Sequence, residues 1–466
     1  PSQVVCVCVW VFFFFRGGCL CQPSIMALKD TWTLDLPVLD LQLNSGDVGA
    51  IVELVLADVL ATSTCALLGF TAHASYTRAS GHPVLRKALA LAVGMAAASV
   101  PFVLSAPFQP LRTRAAGFIL SCHAVFATFR WVELVVGRGP KGAAASAGTF
   151  ALYFSFNSEI CFEDGKVKRL TRRRSECLSL LLDLVLHGLL LFILNSIGRA
   201  TGFTPLLPGS DFLSSFPTFG LPASYVALYL LAFVTYSMLS LGILAHRLLL
   251  AAFGVETVVA MKAPLLLSSS LREFWGRRWN LLIHGLMKRC FFEPFRDGSA
   301  RERQLGATLA FLMSGLFHEY MWLVVNLVRP DSSQYVFGKV LVFFLIQFPL
   351  TAFETVATKT PLGRMAASLP GPVLTVLVTL AVLPASPFFF EGIFDMLREL
   401  AYWMPTAEVK GAAGMGLRSA ILCLLSVLAA GMSRQKLEEK ASKQAEDVRH
   451  ARRDLHVRET RAPAES

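Results

Sequence analysis

Charge is what this sequence has least of. Only 16% of its 466 residues are Asp, Glu, Lys or Arg, against about 25% in a soluble globular domain. With 54% hydrophobic residues and a mean hydropathy of +0.56, a water-soluble fold is excluded. Long polar stretches are equally scarce, so no soluble domain fits between the apolar runs. The ten cysteines follow no repeating spacing. Cys6/Cys8 and Cys19/Cys21 are isolated C-x-C pairs, which excludes a disulfide framework and a zinc site and leaves these thiols as small hydrophobes. The net charge of +11 is clustered. With no soluble recognition fold beside it, it points to membrane topology and anionic headgroups or ligands, not to nucleic acid.

What is present is a succession of apolar runs. At roughly 20 residues per span, length and apolar content allow about eight or nine membrane helices. They are expected near 48–70, 88–108, 115–136, 178–198, 223–253, 305–328, 335–357, 371–390 and 412–431. The predicted fold is all-α and polytopic: an N-terminal segment over 1–47, a multi-pass domain over 48–432 and a charged tail over 433–466. Residues 1–25 hold "VVCVCVWVFFFF", too short to span. They are expected to be signal-like or translated upstream sequence, with Met26 as the start. The short apolar stretch 148–162 is expected to re-enter the membrane or lie at its interface.

Loop charge sets the orientation. "KVKRLTRRR" (166–174) carries six basic residues, and Lys262–Arg303 carries nine basic against four acidic. Two spans separate them, so both are expected in the cytosol, with the loop 199–222 on the other side. Lys359, Arg364 and the tail return to the cytosol. Arg112 and Arg114 run against this scheme. The tail, with nine basic and seven acidic residues over 433–466, reads as a solvated helix or a disordered segment.

Against this apolar background, "FLMSGLFHEYMW" (311–322) sets His318 and Glu319 in the middle of a run from Leu305 to Val328. Each costs about 2–3 kcal/mol or more at bilayer depth. His123 and His187 also sit in apolar runs, so an intramembrane histidine can simply bond across to a neighbouring helix. A zincin H-E-x-x-H fails because position 322 is Trp322, and a G-x-S-x-G elbow fails around Ser314. A general base in an apolar chamber remains, since a neutral buried imidazole accepts a hydroxyl proton. Ser314, one turn earlier, is placed to orient the ring or to ease a helix contact. Glu319 lies about 100° further round the helix and is expected to make a structural contact. Arg130 and Glu133, three apart, are expected to pair. Glu53, Asp58, Asp183 and Glu354 have no partner that the sequence identifies, which keeps a proton-coupled transporter open.

The stretch "SLREFWGRRWNLLIHGLMKRCFFEPFR" (270–296) is too polar to span. Read as one helix, it places Leu271, Trp275, Leu282 and Leu286 on one face and Glu273, Arg277, Asn280, His284 and Lys288 on another. It is expected to lie at the cytosolic interface. Asn280 is a poor helix former with no evident structural reason to be there.

"LREFWGRRWN" followed by "SGLFHEYMW" resembles the membrane-bound O-acyltransferases, and within them the wax synthase-like branch of long-chain-alcohol O-fatty-acyltransferases. Ser270, Leu271, Phe274, Trp275, Arg278, Trp279 and Asn280 match the first signature element; Ser314, His318 and Glu319 match the second. The likeness is clear over about 260–325, within a motif region of 262–328. It implies an all-helical catalytic chamber with His318 and Asn280 as the catalytic pair. His318 would deprotonate a lipid alcohol, which then attacks an acyl-CoA thioester with no acyl-enzyme. Asn280 would bond the oxyanion or hold the thioester. Arg272, Arg277, Arg278, Lys288 and Arg289 are candidates to meet the CoA phosphates, with Trp275, Trp279, Ser314 and Glu319 as further substrate-binding positions. No cofactor or metal is implied, because acyl-CoA is a substrate. His318 falls some 13 residues into its helix, about 20 Å deep, so a tunnel is expected. The resemblance suggests the endoplasmic reticulum and a wax ester product. A sterol, a terpenoid alcohol or diacylglycerol are the alternative acceptors. A transporter and an inactive interaction protein are the readings from other classes.

Overall fold

The computed structural model describes residues 31–35, 39–44, 48–108, 111, 113–200, 221–328, 336–390, 393, 396, 399 and 406–409. The expectations for residues 1–25, Arg112, most of the loop 199–222, the ninth span at 412–431 and the tail at 433–466 fall outside them.

Among the described residues, eight helices are long and apolar enough to cross a membrane. Six of them are α1 (Val48–Arg78), α2 (Pro83–Ser105), α3 (Arg114–Val135), α5 (Arg173–Ala200), α6 (Leu221–Ala252) and α8 (Ala300–Val328), with the short α4 (Ala147–Ser155) and α7 (Leu281–Met287) between them. The other two are α9 (Lys339–Ala357) and α10 (Gly371–Val382), the latter continued through short turns to Phe390. In hydrocarbon a helix satisfies every backbone polar group within its own segment, and the eight spans fall where the apolar runs predict them. Strand is marginal: β1 (Thr31–Asp35), β2 (Leu39–Asn44) and β5 (Thr406–Val409) form one antiparallel sheet, and β3 (Phe162–Glu163) pairs with β4 (Lys166–Val167).

The outer faces remain apolar, with Leu67, Val103 and Phe353 exposed, as lipid-facing positions should be. Inside, the largest buried cluster joins α5, α6, α8, α9 and α10, around Leu228, Trp322, Val340 and Phe343. Without a hydrophobic force between helices in lipid, small residues allow close approach. At Gly315 an added Cβ would stand 2.6 Å from Leu341 Cδ1 and 3.1 Å from its Cα, so α8 and α9 cross there almost backbone to backbone.

The stretch at 148–162 begins with α4, whose Phe150, Tyr153 and Phe154 are buried in the protein. Two expectations change. The segment 270–296 is not one helix: it breaks at Trp279 and Asn280, and Asn280 adopts a left-handed conformation (φ 40°). Arg130 and Glu133 do not pair. Arg130 donates to the Phe156 and Ser158 carbonyls, while Glu133 accepts from Tyr153 and Arg289. The anomalous Arg114 is buried and faces Glu399 at 3.8 Å, which compensates its charge.

Candidate active site

A cavity of about 830 Å³ lies among α1, α3, α6, α7, α8, α9 and the broken segment. Its wall is mostly apolar, with a few polar groups: His318, Ser314, Asn280, Arg272, Lys288 and His284 among them. Five of the ten family-matched residues, Trp275, Trp279, Asn280, Ser314 and His318, thus reach one chamber although they come from different elements.

His318 sits on α8. Its Nδ1 is 2.7 Å from the Ser314 carbonyl oxygen, which only accepts, so Nδ1 carries the proton. In the neutral ring Nε2 is then the bare nitrogen. Aromatic rings fix the plane: Phe344 stacks on the imidazole at 4.7 Å and 24°, Phe317 lies at 4.0 Å, and Phe389 meets it edge-on at 5.5 Å. Ser314 therefore orients the ring through its carbonyl.

Glu319 turns away from the cavity. Wholly buried, it accepts from the Leu341 N–H at 2.8 Å, in the first turn of α9, where unpaired N–H groups and the helix dipole favour a carboxylate. Glu354 does the reverse from α9, accepting from the N–H groups of Leu271 (2.8 Å) and Arg272 (3.1 Å). Two carboxylates for which the sequence indicates no partner are therefore helix caps that tie α8, α9 and the motif segment together.

Ser270 caps the short turn Leu271–Glu273, its hydroxyl accepting from the Glu273 N–H at 3.0 Å. Burial alone would raise the Glu273 carboxyl, but hydrogen bonds from Ser269 and the Arg278 guanidinium at 2.7 Å hold it below its usual value. Trp275 and Trp279 line the cavity, and the buried Trp275 Nε1 has no hydrogen-bond partner among the described residues. Asn280 has a structural role after all: its side chain caps α7 through the Ile283 N–H at 3.4 Å, and asparagine tolerates the left-handed backbone that the break requires.

The basic candidates divide. Arg272 and Arg277 are exposed, and Lys288 is half-exposed with Glu293 at 3.9 Å; Arg272 and Lys288 reach the cavity. Arg278 also donates to the Lys262 carbonyl at 3.1 Å, so its guanidinium is largely engaged. Arg289 bonds Glu133 at 2.5 Å and Glu159 at 2.7 Å. Burial would lower its pKa, but Tyr153, Glu159 and Glu133 hold it above the ordinary arginine value.

One polar cluster is not evident from the sequence. Asp58 on α1 faces His123 Nε2 on α3 and His246 Nε2 on α6, each at 3.0 Å. The two histidines are 65 and 188 residues from Asp58 in sequence, a separation that no local motif reveals.

A polytopic helical chamber with an oriented histidine in its wall is the class that fold and site define. Residues 259–346 match the membrane bound O-acyl transferase family, and the resemblance extends to its wax synthase-like branch. Over 198 residues the chain is 30% identical to the probable long-chain-alcohol O-fatty-acyltransferase 8 of Arabidopsis thaliana, covering 41% of this chain and 54% of that protein. It is 32% identical over 121 residues to the long-chain-alcohol O-fatty-acyltransferase of Simmondsia chinensis, 25% of this chain and 32% of that protein. It is also 35% identical over 103 residues to acyl-CoA--sterol O-acyltransferase 1 of Arabidopsis thaliana, 21% of this chain and 28% of that protein. The matches thus span 28% to 54% of the length of these relatives.

Proposed function

We propose that this chain is an acyl-CoA-dependent O-acyltransferase of internal membranes, the endoplasmic reticulum first among them, that esterifies a long-chain alcohol to a wax ester. One observation carries the reading: the His318 ring is locked by the Ser314 carbonyl and Phe344 with a bare Nε2 in the wall of a mostly apolar cavity. In the proposed reaction the alcohol hydroxyl gives its proton to Nε2 as its oxygen attacks the thioester carbonyl. The tetrahedral intermediate then expels the CoA thiolate, which takes the proton back from the imidazolium. Substrate protonation and charge balance without a covalent enzyme intermediate or a cofactor. Trp275 Nε1, a buried donor without a partner among the described residues, and the Asn280 amide are the groups proposed to meet the carbonyl oxygen. Arg272, Arg277 and Lys288 are proposed to meet the CoA phosphates, while Arg278 is held by Glu273 and Arg289 by Glu133 and Glu159.

A sterol acceptor is the second reading, favoured by the sterol O-acyltransferase among the relatives. Membranes from cells expressing the full chain, given labelled palmitoyl-CoA with hexadecanol, cholesterol or diacylglycerol in parallel, decide between them. Label in wax ester that vanishes with His318→Ala supports both acceptor and base. Label in steryl ester or triacylglycerol changes the acceptor alone. A fully active His318→Ala rejects the base, and no ester with any acceptor from well-expressed protein rejects the acyltransferase reading.

A further inference from the structure

We infer that Asp58, His123 and His246 form a binding site for a divalent transition metal of the zinc class, built into the cavity wall and separate from His318. Their candidate ligand atoms, one from each residue, all lie within 4.8 Å of one another and come from three different helices. Two imidazole nitrogens and one carboxylate are the donor set of zinc and non-haem iron sites that keep an open position. Neighbouring ligands of one such ion stand roughly 3–4 Å apart at bond lengths near 2.0–2.2 Å. Both nitrogen–oxygen pairs here, at 3.0 Å, are within that range.

Hydrogen bonding gives an independent reason for a cation. His123 Nδ1 is 3.0 Å from the Ser155 carbonyl oxygen, so Nδ1 carries a proton. A neutral His123 therefore points a bare Nε2 at Asp58 Oδ1, two acceptors face to face. A positive centre must lie between them, either a metal ion or a second proton. An N–H donated to a backbone carbonyl behind the coordinating nitrogen is also how metal-bound histidines are held in place. His246, 6% exposed, has no partner for its Nδ1 among the described residues; its ring packs edge-on against His123 and Phe156, and Asp58 is the polar group that its Nε2 meets. Asp58 keeps 35% of its side chain accessible and lines the cavity together with His246, so open coordination positions would face the cavity. The competing occupant is a proton shared within the cluster.

The test needs no assay of acyl transfer, so its failure is distinct from failure of the proposed function. The full chain, carrying a purification tag without histidine, is isolated in detergent, equilibrated with Zn²⁺, passed through a desalting column and measured by elemental mass spectrometry. The expectation is about one zinc per chain, lost at least roughly tenfold in Asp58→Asn and His246→Gln and kept in His318→Ala. Loading with Co²⁺ should add visible ligand-field absorption to the wild type. A monodisperse wild type that holds neither Zn²⁺ nor Co²⁺ overturns the site and leaves a proton in the cluster. Zinc retained by well-folded Asp58→Asn and His246→Gln also overturns it. If those variants aggregate, the wild-type zinc content and cobalt spectrum decide alone.

Discussion

The Nδ1 of His318 stands 2.7 Å from the carbonyl oxygen of Ser314, one turn back on the same helix. Because a carbonyl cannot donate, the contact selects the tautomer with Nε2 free. Loss of a positioned base typically costs about 10²–10⁴ in rate, so His318→Ala and His318→Gln should both lose ester formation by that factor. Both should retain expression and the wild-type elution profile, because the ring makes packing contacts and one bond to its own helix. Activity within threefold of wild type in His318→Gln would remove the imidazole from the reaction.

Gly315 permits the approach of α8 to α9, and Glu319, four residues on, caps Leu341 on that same helix. Gly315→Val forces the nearby Leu341 backbone away, and overpacking of this kind costs about 1–3 kcal/mol. The thermal midpoint in detergent should fall, and transfer activity should fall with it, since Phe344 of α9 stacks on His318. An unchanged midpoint would show that α9 yields freely.

The eight spans among the described residues and the motif at 311–322 were legible because each depends on runs or on residues within one or two turns. Glu319 was readable in kind but not in partner: the helix angle turns it from His318, yet nothing in sequence points to Leu341. The break at Asn280 escaped the periodicity because Leu271, Trp275, Leu282 and Leu286 fit one helix face on either side of it. Asn itself was the available signal, as the residue after glycine most tolerant of the left-handed region. Arg130 and Glu133 were misjudged because spacing shows which residues can meet and not which nearer acceptors, here the Phe156 and Ser158 carbonyls, outbid them. The Asp58 cluster assembles only when three helices pack.

Arg289 and Lys288 are adjacent in sequence and should behave differently. Arg289 bridges the buried Glu133 and the partly buried Glu159, so Arg289→Ala leaves both carboxylates without their cation, at about 3–5 kcal/mol. The expected outcome is poor expression or a strongly lowered thermal midpoint. Lys288→Ala, like Arg272→Ala, should leave the midpoint unchanged and raise the KM for palmitoyl-CoA several-fold, an effect that weakens at high salt. Equal effects of Lys288→Ala and Arg289→Ala on KM at unchanged stability would restore Arg289 as a phosphate ligand.

His284 provides a test of pH dependence outside the spans. Burial pushes its pKa below the usual 6.5, and the neighbouring charges of Lys288 and Arg289 push it the same way. The folded protein therefore keeps the ring neutral while the unfolded chain takes up a proton as pH falls through 6.5. A state that binds more protons gains on acidification, so this group favours unfolding below 6.5 until the folded value is reached. Its contribution to stability is complete above 6.5. His284→Gln removes the titration while keeping a polar side chain. The wild-type thermal midpoint should then fall more steeply than that of His284→Gln between about pH 7.5 and 5.5, with the gap widest at the acid end. Parallel curves would mean that the ring takes up its proton as easily in the folded protein as in the unfolded chain.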